Sequence, residues 1–303
     1  MSSNTKPPTV VSRETAGLGN RLKSWVSAMR LGADVRVLWA VNKNMPASFS
    51  ELFSNDCAVD RVPPGASVYA SWRLVVLPED ERHLPAGFAT VGAGAHPLIR
   101  GLGKAWWNAT GRPSDRYRYM LFPKSHSRRS SRRDARHIDL EYGRIPEYFR
   151  AVYGPLFQRI AVRPEIAKRV DDWARVHLDD RVIGVQVRTW RDDPRRYRKY
   201  HKPAVRRLSR LLDGAGPGDR FFVVSDSDDI VAQLQCQYGE SRVLRFPRQT
   251  ARSDSWRAPE GITEDLIDML LLSRTHRVFA SYLSTFSEAA WWLGGATAEV
   301  AVF

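Results

Sequence analysis

Cysteine is scarce in this sequence of 303 residues: only Cys57 and Cys236 are present, and they lie far apart in the chain. Neither belongs to a CxxC pair or to a Cys/His cluster, so neither a disulfide framework nor a structural zinc site is expected. The seven histidines also lack HxH or HExxH spacing. No metal site is therefore predicted from the residue pattern.

Long hydrophobic runs are also missing. None approaches the roughly 20 apolar residues that a membrane-spanning helix requires. The N-terminal sequence MSSNTKPPTVV lacks the charged and apolar regions of a secretory signal. We therefore expect a cytoplasmic protein, for which peripheral binding to an anionic membrane surface stays open.

Acidic residues are outnumbered: there are 33 aspartates and glutamates against 47 lysines and arginines, which leaves a formal charge of +14. A charge of this sign attracts anions, and nucleic acid, an anionic membrane surface and a nucleotide diphosphate are all compatible with it. Most of the basic residues are arginines, which suit bidentate phosphate binding but are also expected from a GC-rich genome. The densest basic stretch, KSHSRRSSRRDARH at residues 124–137, is predicted to be an exposed loop.

Apolar residues make up 43% of the sequence, which is sufficient for substantial cores, and the length fits two domains of roughly 150 residues. Residues 9–41 predict a strand, a loop, a helix and a second strand. The helix is indicated by Leu22, Trp25 and Met29, which recur at helical spacing.

The second half of the chain has a clearer pattern. From residue 181 onward, continuously apolar strands alternate with helices, which is typical of a parallel sheet covered on both faces. We therefore predict an α/β protein with two Rossmann-like domains, residues 1–155 and residues 156–303.

Polar residues follow three of the predicted strands in the second domain: Arg188, the pair Ser225 and Asp226, and Ser281. Because ligands of an open parallel sheet bind outside the carboxyl ends of its strands, we expect these residues to line one crevice. Arg188 can clamp a diphosphate through its planar guanidinium, or it can be paired with a neighbouring carboxylate. Asp226 can accept hydrogen bonds from a base or a ribose, while helix capping by Ser225, Asp226 or Ser227 is the alternative.

Two further turns are suited to an anion. AGLGNRL places Gly17 and Gly19 between a strand and a helix, where glycine permits close backbone approach to a ligand or simply forms a tight turn. Ser284 and Thr285 stand at another helix start, where hydroxyl and N–H groups suit a phosphate, or where Ser284 caps the helix.

Asp268 lies on the apolar face of a predicted helix. Burying an unpaired carboxylate is costly, so this residue needs a cation. We expect it either to pair with Arg188 or to reach solvent at the helix edge.

Four segments resemble the fucosyltransferase superfamily, which includes α1,6-fucosyltransferases, rhizobial nodulation-factor fucosyltransferases and protein O-fucosyltransferases. In chain order they are AGLGNRL, IGVQVRTW, VVSDSDD and EDLIDMLLLSRTHRVFASYLSTFSEAAWW. The resemblance covers the C-terminal half well and the N-terminal half only at its first strand and helix. It implies two Rossmann-like domains facing across a cleft (the GT-B arrangement), with the donor in residues 156–303 and the acceptor on the side of residues 1–155.

The resemblance also implies the reaction, which is the inverting transfer of fucose from GDP-fucose to an acceptor hydroxyl without a metal. Arg188 matches the family arginine that holds the diphosphate, and Asp226 matches an aspartate near the guanine. Gln186 departs from the family, because many members have histidine at this position. Taken from the residues and the resemblance together, the predicted donor-binding set is Gly17, Gly19, Asn20, Arg21, Gln186, Arg188, Ser225, Asp226, Asp268, Ser281, Ser284 and Thr285.

Glycosyl transfer without a metal needs a fixed guanidinium and helix N-termini to stabilise the leaving diphosphate. Inversion also needs a group that accepts the proton of the acceptor hydroxyl. The sequence does not choose among the candidates for this base, which are Glu14, Asp192, Asp193 and His201. The acceptor is equally open between a glycan, a lipid-linked oligosaccharide, a peptide and a small molecule.

Two other functions are compatible with the sequence. A basic nucleic-acid-binding protein would interleave cations with aromatic residues, a pattern found only in DDPRRYRKYHK at residues 192–202, so nucleic acid is not the expected partner. A non-catalytic Rossmann-like protein that binds a nucleotide is the other alternative.

Overall fold

The computed structural model describes residues 9–83, 122–123, 136–138, 142, 145–282 and 284–303. Of the predicted basic loop at residues 124–137, only the last two residues are described, and they lie in a strand. The remainder of that prediction lies outside the described residues. None of the helices in the described ranges has the length and apolar character that crossing a bilayer requires.

The described elements follow one another as short strands and mostly longer helices. The strands are β1 Thr9–Ser12, β2 Asp34–Val37, β3 Ser67–Tyr69, β4 Leu74–Val76, β5 Phe122–Pro123, β6 Arg136–Ile138, β7 Val182–Val187, β8 Arg220–Ser225, β9 Val243–Leu244, β10 Arg277–Ala280 and β11 Glu299–Val302. The α-helices are α1 Leu18–Leu31, α2 Phe49–Leu52, α3 Glu147–Phe157, α4 Pro164–His177, α5 Pro194–Arg196, α6 Lys202–Asp213, α7 Asp228–Tyr238, α8 Pro259–Leu272 and α9 Thr285–Leu293. Short 3-10 helices cover Pro78–His83 and Arg252–Arg257, and a turn of π-helix covers Tyr197–His201.

The chain forms two compact units. One contains residues Met1–Ala40 and Asn55–Ile160, and the other contains Val41–Ser54 and Ala161–Phe303. Helix α2 therefore groups with the second unit, although it precedes β3 in the sequence. The functional roles that the sequence predicts for residues 1–155 and 156–303 stay predictions.

The first unit is built on a parallel sheet in the order β2-β1-β3. Helix α1 forms because Leu22, Trp25 and Val26 recur on one face, and all three are buried. It ends at Leu31, and the N–H of Gly32 donates to the Ala28 carbonyl. A second sheet of this unit, β4-β6-β5, is antiparallel.

The second unit contains a five-stranded, fully parallel sheet in the order β11-β10-β7-β8-β9. The central strand, β7, is buried at every residue, which explains its continuous apolar sequence. Ala204, Leu208 and Leu212 of α6 are part of the core on one face of the sheet. On the other face, a Cβ added to Gly184 would lie 2.5 Å from a methyl carbon of Leu272 at the end of α8. The predicted α/β class with parallel sheets is confirmed.

This strand order creates a switch point in the second unit. The chain proceeds from β7 to β8 and β9 on one side and then returns to place β10 on the other side of β7. Loops that leave the carboxyl ends of β7 and β10 therefore diverge, and the crevice between them is the usual ligand site of open α/β sheets.

Candidate functional site

Three polar residues meet at the switch point of the second unit. Arg188 follows the last residue of β7, and its backbone N–H donates to Ser281 Oγ, just beyond β10, at 2.8 Å. The Arg188 guanidinium lies 3.1 Å from Asp226 Oδ2, just beyond β8. The parallel register explains this convergence, because the three strands end at the same edge.

Asp226 organises the loop that leaves β7. While Oδ2 contacts Arg188, Oδ1 accepts a hydrogen bond from the backbone N–H of Thr189 at 2.8 Å. The N-cap of α7 is Ser227, so Asp226 is not the capping residue. Ser225 is buried, and its hydroxyl accepts from the Ser227 N–H at 3.2 Å. The Arg188 side chain is held from one side and remains 44% exposed, so an anion can reach it.

Trp190 supports the same guanidinium and was missed by sequence reasoning. The Arg188 guanidinium carbon lies 5.1 Å from the centroid of the Trp190 ring, and that of Arg196 lies 4.9 Å from it. Tyr200 contacts the ring as well, at a centroid distance of 6.1 Å. The backbone of Trp190 has φ 57°, a left-handed conformation that is an outlier for so bulky a residue. Such strain is found at functional sites.

His201 contacts the loop that follows β7. It is 7% exposed, and its imidazole hydrogen-bonds to the backbone of Arg188. Burial lowers the pKa of His201, although the neighbouring Asp226 carboxylate acts in the opposite direction. The ring is therefore neutral at neutral pH and holds the main chain of Arg188.

The predicted alternative that pairs Asp268 with Arg188 is wrong, and so is the alternative that exposes it to solvent. Asp268 is fully buried in α8, and its Oδ2 accepts a hydrogen bond from Arg248 at 2.8 Å and another from Arg252. The carboxylate pairs with these cations because they are themselves buried, with side chains 6% and 2% exposed.

The cluster around Asp268 clamps the loop between β9 and α8. Arg248 also lies 2.9 Å from Asp265, and the carboxyl of Glu264 accepts from the backbone N–H groups of Gln249 and Thr250. Burial opposes the charge of Arg248, but Asp265 and Asp268 together raise its pKa above the ordinary value. This cluster supports the loop rather than offering free charge to a ligand. Its arginines lie in an irregular segment, where the sequence pattern carries no signal for them.

Ser284, Thr285 and Gln186 are the remaining residues of the predicted donor-binding set in the second unit. Ser284 is the N-cap of α9, and its hydroxyl accepts from the Ser287 N–H at 3.4 Å, which agrees with the capping alternative. Thr285 is the first residue of that helix and is half-buried. Gln186 is 4% exposed, and its Oε1 has no hydrogen-bond partner among the residues described.

Asp192 and Asp193, two of the candidates for the base, differ in the contacts of their carboxylates. Asp193 is the N-cap of α5, because Oδ1 accepts from the N–H groups of Arg195 and Arg196 at 3.1 Å each. Its carboxylate is therefore engaged in local structure. Asp192 has a side chain that is 85% exposed, 3.7 Å from Arg191.

The first unit holds the other predicted residues. Glu14 Oε1 accepts from the N–H groups of Thr15 and Ala16, and so closes the loop that precedes α1. Gly17 is the exposed N-cap of that helix. Gly19 lies inside the helix and not in the turn, which corrects the prediction that both glycines form the turn. Asn20 is half-buried in the first turn of the same helix.

Arg21 is folded back into its own unit. Its Nε donates to the Ala16 carbonyl at 2.7 Å, and its guanidinium stacks 4.6 Å from the Trp39 ring centroid. The side chain is 2% exposed, and burial lowers the pKa of Arg21 to about 10, although Glu14 opposes this shift. Arg21 therefore stabilises the loop from within and has almost no exposed surface for a ligand, in contrast to its place in the predicted donor-binding set.

Comparison with known proteins gives matches of structure alone. No family model and no curated protein sequence matches the chain. The crystal structure of fucosyltransferase NodZ from Bradyrhizobium is similar, with 20% identity over 94% of this chain and 92% of that chain and a TM-score of 0.50.

Two further crystal structures have lower TM-scores. NodZ alpha-1,6-fucosyltransferase soaked with GDP-fucose has 20% identity over 95% of this chain and 93% of that chain, with a TM-score of 0.49. POFUT1 in complex with GDP-fucose has 13% identity over 100% and 99%, with a TM-score of 0.47. The predicted resemblance to the fucosyltransferase superfamily is confirmed at the level of the fold, through Bradyrhizobium NodZ.

Proposed function

We propose that this protein is a glycosyltransferase that moves fucose from GDP-fucose to a hydroxyl of a glycan or a related acceptor. One observation carries the proposal: an exposed guanidinium, Arg188, is fixed by Asp226 and Trp190 at the switch point of a parallel sheet. A fold similar to that of NodZ supports it. The GT-B fold class that the resemblance implies is part of the proposal.

The reaction breaks the bond between the anomeric carbon of fucose and the diphosphate oxygen. An acceptor oxygen forms the new bond on the opposite face of the sugar, which inverts the configuration. Negative charge then develops on the departing GDP, and the Arg188 guanidinium donates hydrogen bonds to it. Because this cation is supplied by the chain itself, the proposed reaction needs no metal. The proton of the acceptor hydroxyl passes to a carboxylate, for which the exposed Asp192 is a candidate.

Thermal unfolding with and without ligands tests the proposal. GDP and GDP-fucose should raise the melting temperature, UDP-glucose and a single-stranded oligonucleotide should not, and EDTA should leave the GDP effect unchanged. Arg188→Ala should melt as the unmodified protein does without ligand but respond weakly to GDP. Equal stabilisation by UDP-glucose would contradict GDP-fucose as the donor. Loss of GDP binding in EDTA would contradict a reaction without a metal. Release of GDP from GDP-fucose in the presence of an acceptor then measures turnover.

A further inference from the structure

A row of exposed cations follows the candidate site in the chain. Helix α5, the π-helical turn and α6 are contiguous from residue 194 to residue 213. Six exposed cations of this helical segment form what we call the basic strip: Arg195, Arg198, Lys199, Lys202, Arg206 and Arg210. The sequence from residue 194 to residue 212 contains no aspartate or glutamate at all. The strip is therefore a surface of one sign.

The strip places several cations close together near the start of a helical segment. Helices α4, α7, α8 and α9 each carry a carboxylate in their first turn, where the helix dipole favours negative charge. The segment that begins at Pro194 is capped by the Asp193 carboxylate, but its first turns contain basic residues and no acidic ones. Neighbouring like charges on a helix also repel one another. An anionic ligand would reduce this repulsion between the cations of the strip.

Internal ion pairs do not neutralise most of the strip. Arg196, which is outside it, pairs with Asp193. In the part of the chain that the structure describes, no carboxylate lies within ion-pair distance of Arg195, Arg198, Lys202, Arg206 or Arg210. These side chains are available to an external anion.

The strip starts at the candidate donor site. Arg196 stacks on Trp190, which also contacts Arg188, and His201 hydrogen-bonds to the Arg188 backbone. From there Lys202, Arg206 and Arg210 recur at every fourth residue, so each is displaced by about 6 Å along α6. An extended anion bound to this row would have one end beside Arg188.

Two kinds of anion fit the strip poorly. A helix that binds a bilayer inserts its apolar face, but the apolar face of α6 (Ala204, Leu208 and Leu212) is part of the sheet core. Single-stranded nucleic acid requires free aromatic faces for its bases. Trp190 is occupied by two guanidinium groups, and Tyr200 contacts both Trp190 and Tyr282. Tyr197 is 39% exposed, and its ring contacts the His201 ring at a centroid distance of 5.1 Å.

We propose that the basic strip binds an acidic polysaccharide, a linear chain that carries repeated carboxylate or sulfate groups, and that this chain is the fucosyl acceptor. The strip would bind its acidic groups through arginine and lysine while a hydroxyl near Arg188 reacts. The assignment of the acceptor rests on the proposed function, whereas binding by the strip can be measured independently of it.

Binding to defined probes tests the inference. Oligogalacturonate and dextran sulfate should bind, neutral dextran should not, and the affinity should fall as salt rises, because exposed charges are screened. The variant carries Lys202→Gln, Arg206→Gln and Arg210→Gln and should bind oligogalacturonate about tenfold more weakly. The control carries Arg163→Gln, Lys168→Gln and Arg175→Gln, which removes the same charge from α4, where carboxylates already pair with these cations. It should bind like the unmodified protein.

The outcomes separate the inference from the proposed function. A GDP response that is equal in the unmodified protein and in the strip variant, together with weaker oligogalacturonate binding by that variant, supports both. Equal oligogalacturonate binding by the strip variant and the control overturns the inference and leaves donor binding untouched. Tighter binding of phosphatidylglycerol vesicles or single-stranded DNA through the same three residues also overturns it. Strip-dependent oligogalacturonate binding without any GDP response overturns the proposed function and, with it, the acceptor role.

Discussion

Asp226 holds Arg188 and the residue after it at the same time. One carboxylate oxygen lies 3.1 Å from the Arg188 guanidinium, and the other accepts from the Thr189 N–H at 2.8 Å. A single carboxylate thus couples the direction of the side chain to the path of the loop. The guanidinium is fixed before a ligand arrives, which lowers the cost of ordering it during the reaction.

Replacement of Arg188 should impair turnover far more than stability. Arg188→Ala removes a fixed cation from the leaving group, and donors of this kind contribute about 2.7–4 kcal/mol, or roughly a hundred- to thousand-fold in rate. Arg188→Lys keeps the charge but loses the two-pronged geometry, so it should also be impaired. Turnover of GDP-fucose and the melting temperature are measured together, with Arg175→Ala as the exposed control. A folded Arg188→Ala protein with near-normal turnover would refute the role of this residue.

Replacement of Asp268 should impair stability far more than turnover. Asp268→Asn leaves Arg248 and Arg252 buried without their shared carboxylate, and breaking a buried ion pair from one side typically costs about 3–5 kcal/mol. Urea unfolding should show this loss, whereas Asp192→Asn, at an exposed side chain, should unfold like the unmodified protein. Unchanged stability of Asp268→Asn would mean that the buried cluster does not support the fold.

His201 should make stability depend on pH. Burial lowers its pKa below the ordinary value of 6.5, so the unfolded chain binds the proton first as the pH falls. The stability due to the neutral ring is therefore present above that value and is lost as the pH decreases through the lowered pKa. His201→Gln, which cannot be protonated, should lose less stability between about pH 7.5 and about pH 5 in urea unfolding. His276→Gln, at an exposed histidine, is the control. An identical loss of stability with falling pH in both variants would contradict the lowered pKa of a buried His201.

Two glycines should respond differently to alanine. A Cβ at Gly17 meets nothing within 4 Å, and its φ of −66° suits any residue, so Gly17→Ala should keep the melting temperature. A Cβ at Gly261 would lie 2.2 Å from the Ser255 carbonyl, so Gly261→Ala should be destabilised, because backbone must move. If the loop before α1 binds ligand through its backbone, Gly17→Ala will lose turnover without losing stability. Full activity of that variant would remove Gly17 from the proposed site.

Sequence alone determined the local elements and their order. Helix α1 was predictable because its buried face requires apolar residues at helical spacing. Strands β7, β8 and β10 were predictable because strands of a parallel sheet that is covered on both faces are continuously apolar. The meeting of Arg188, Asp226 and Ser281 was predictable too, because strands of one parallel sheet end at one edge. These inferences need only the near neighbours of each residue and one rule of topology.

Only the tertiary structure decided which charges pair. Asp268 was expected beside Arg188 or in contact with solvent, yet it is bound to Arg248 and Arg252. Arg21 is buried against Trp39. Long side chains from distant segments contact the same carboxylate or ring, and the periodicity of the sequence does not predict such contacts. Their outcome depends on which groups are removed from water together, because a buried charge binds whichever opposite charge the fold places in contact with it.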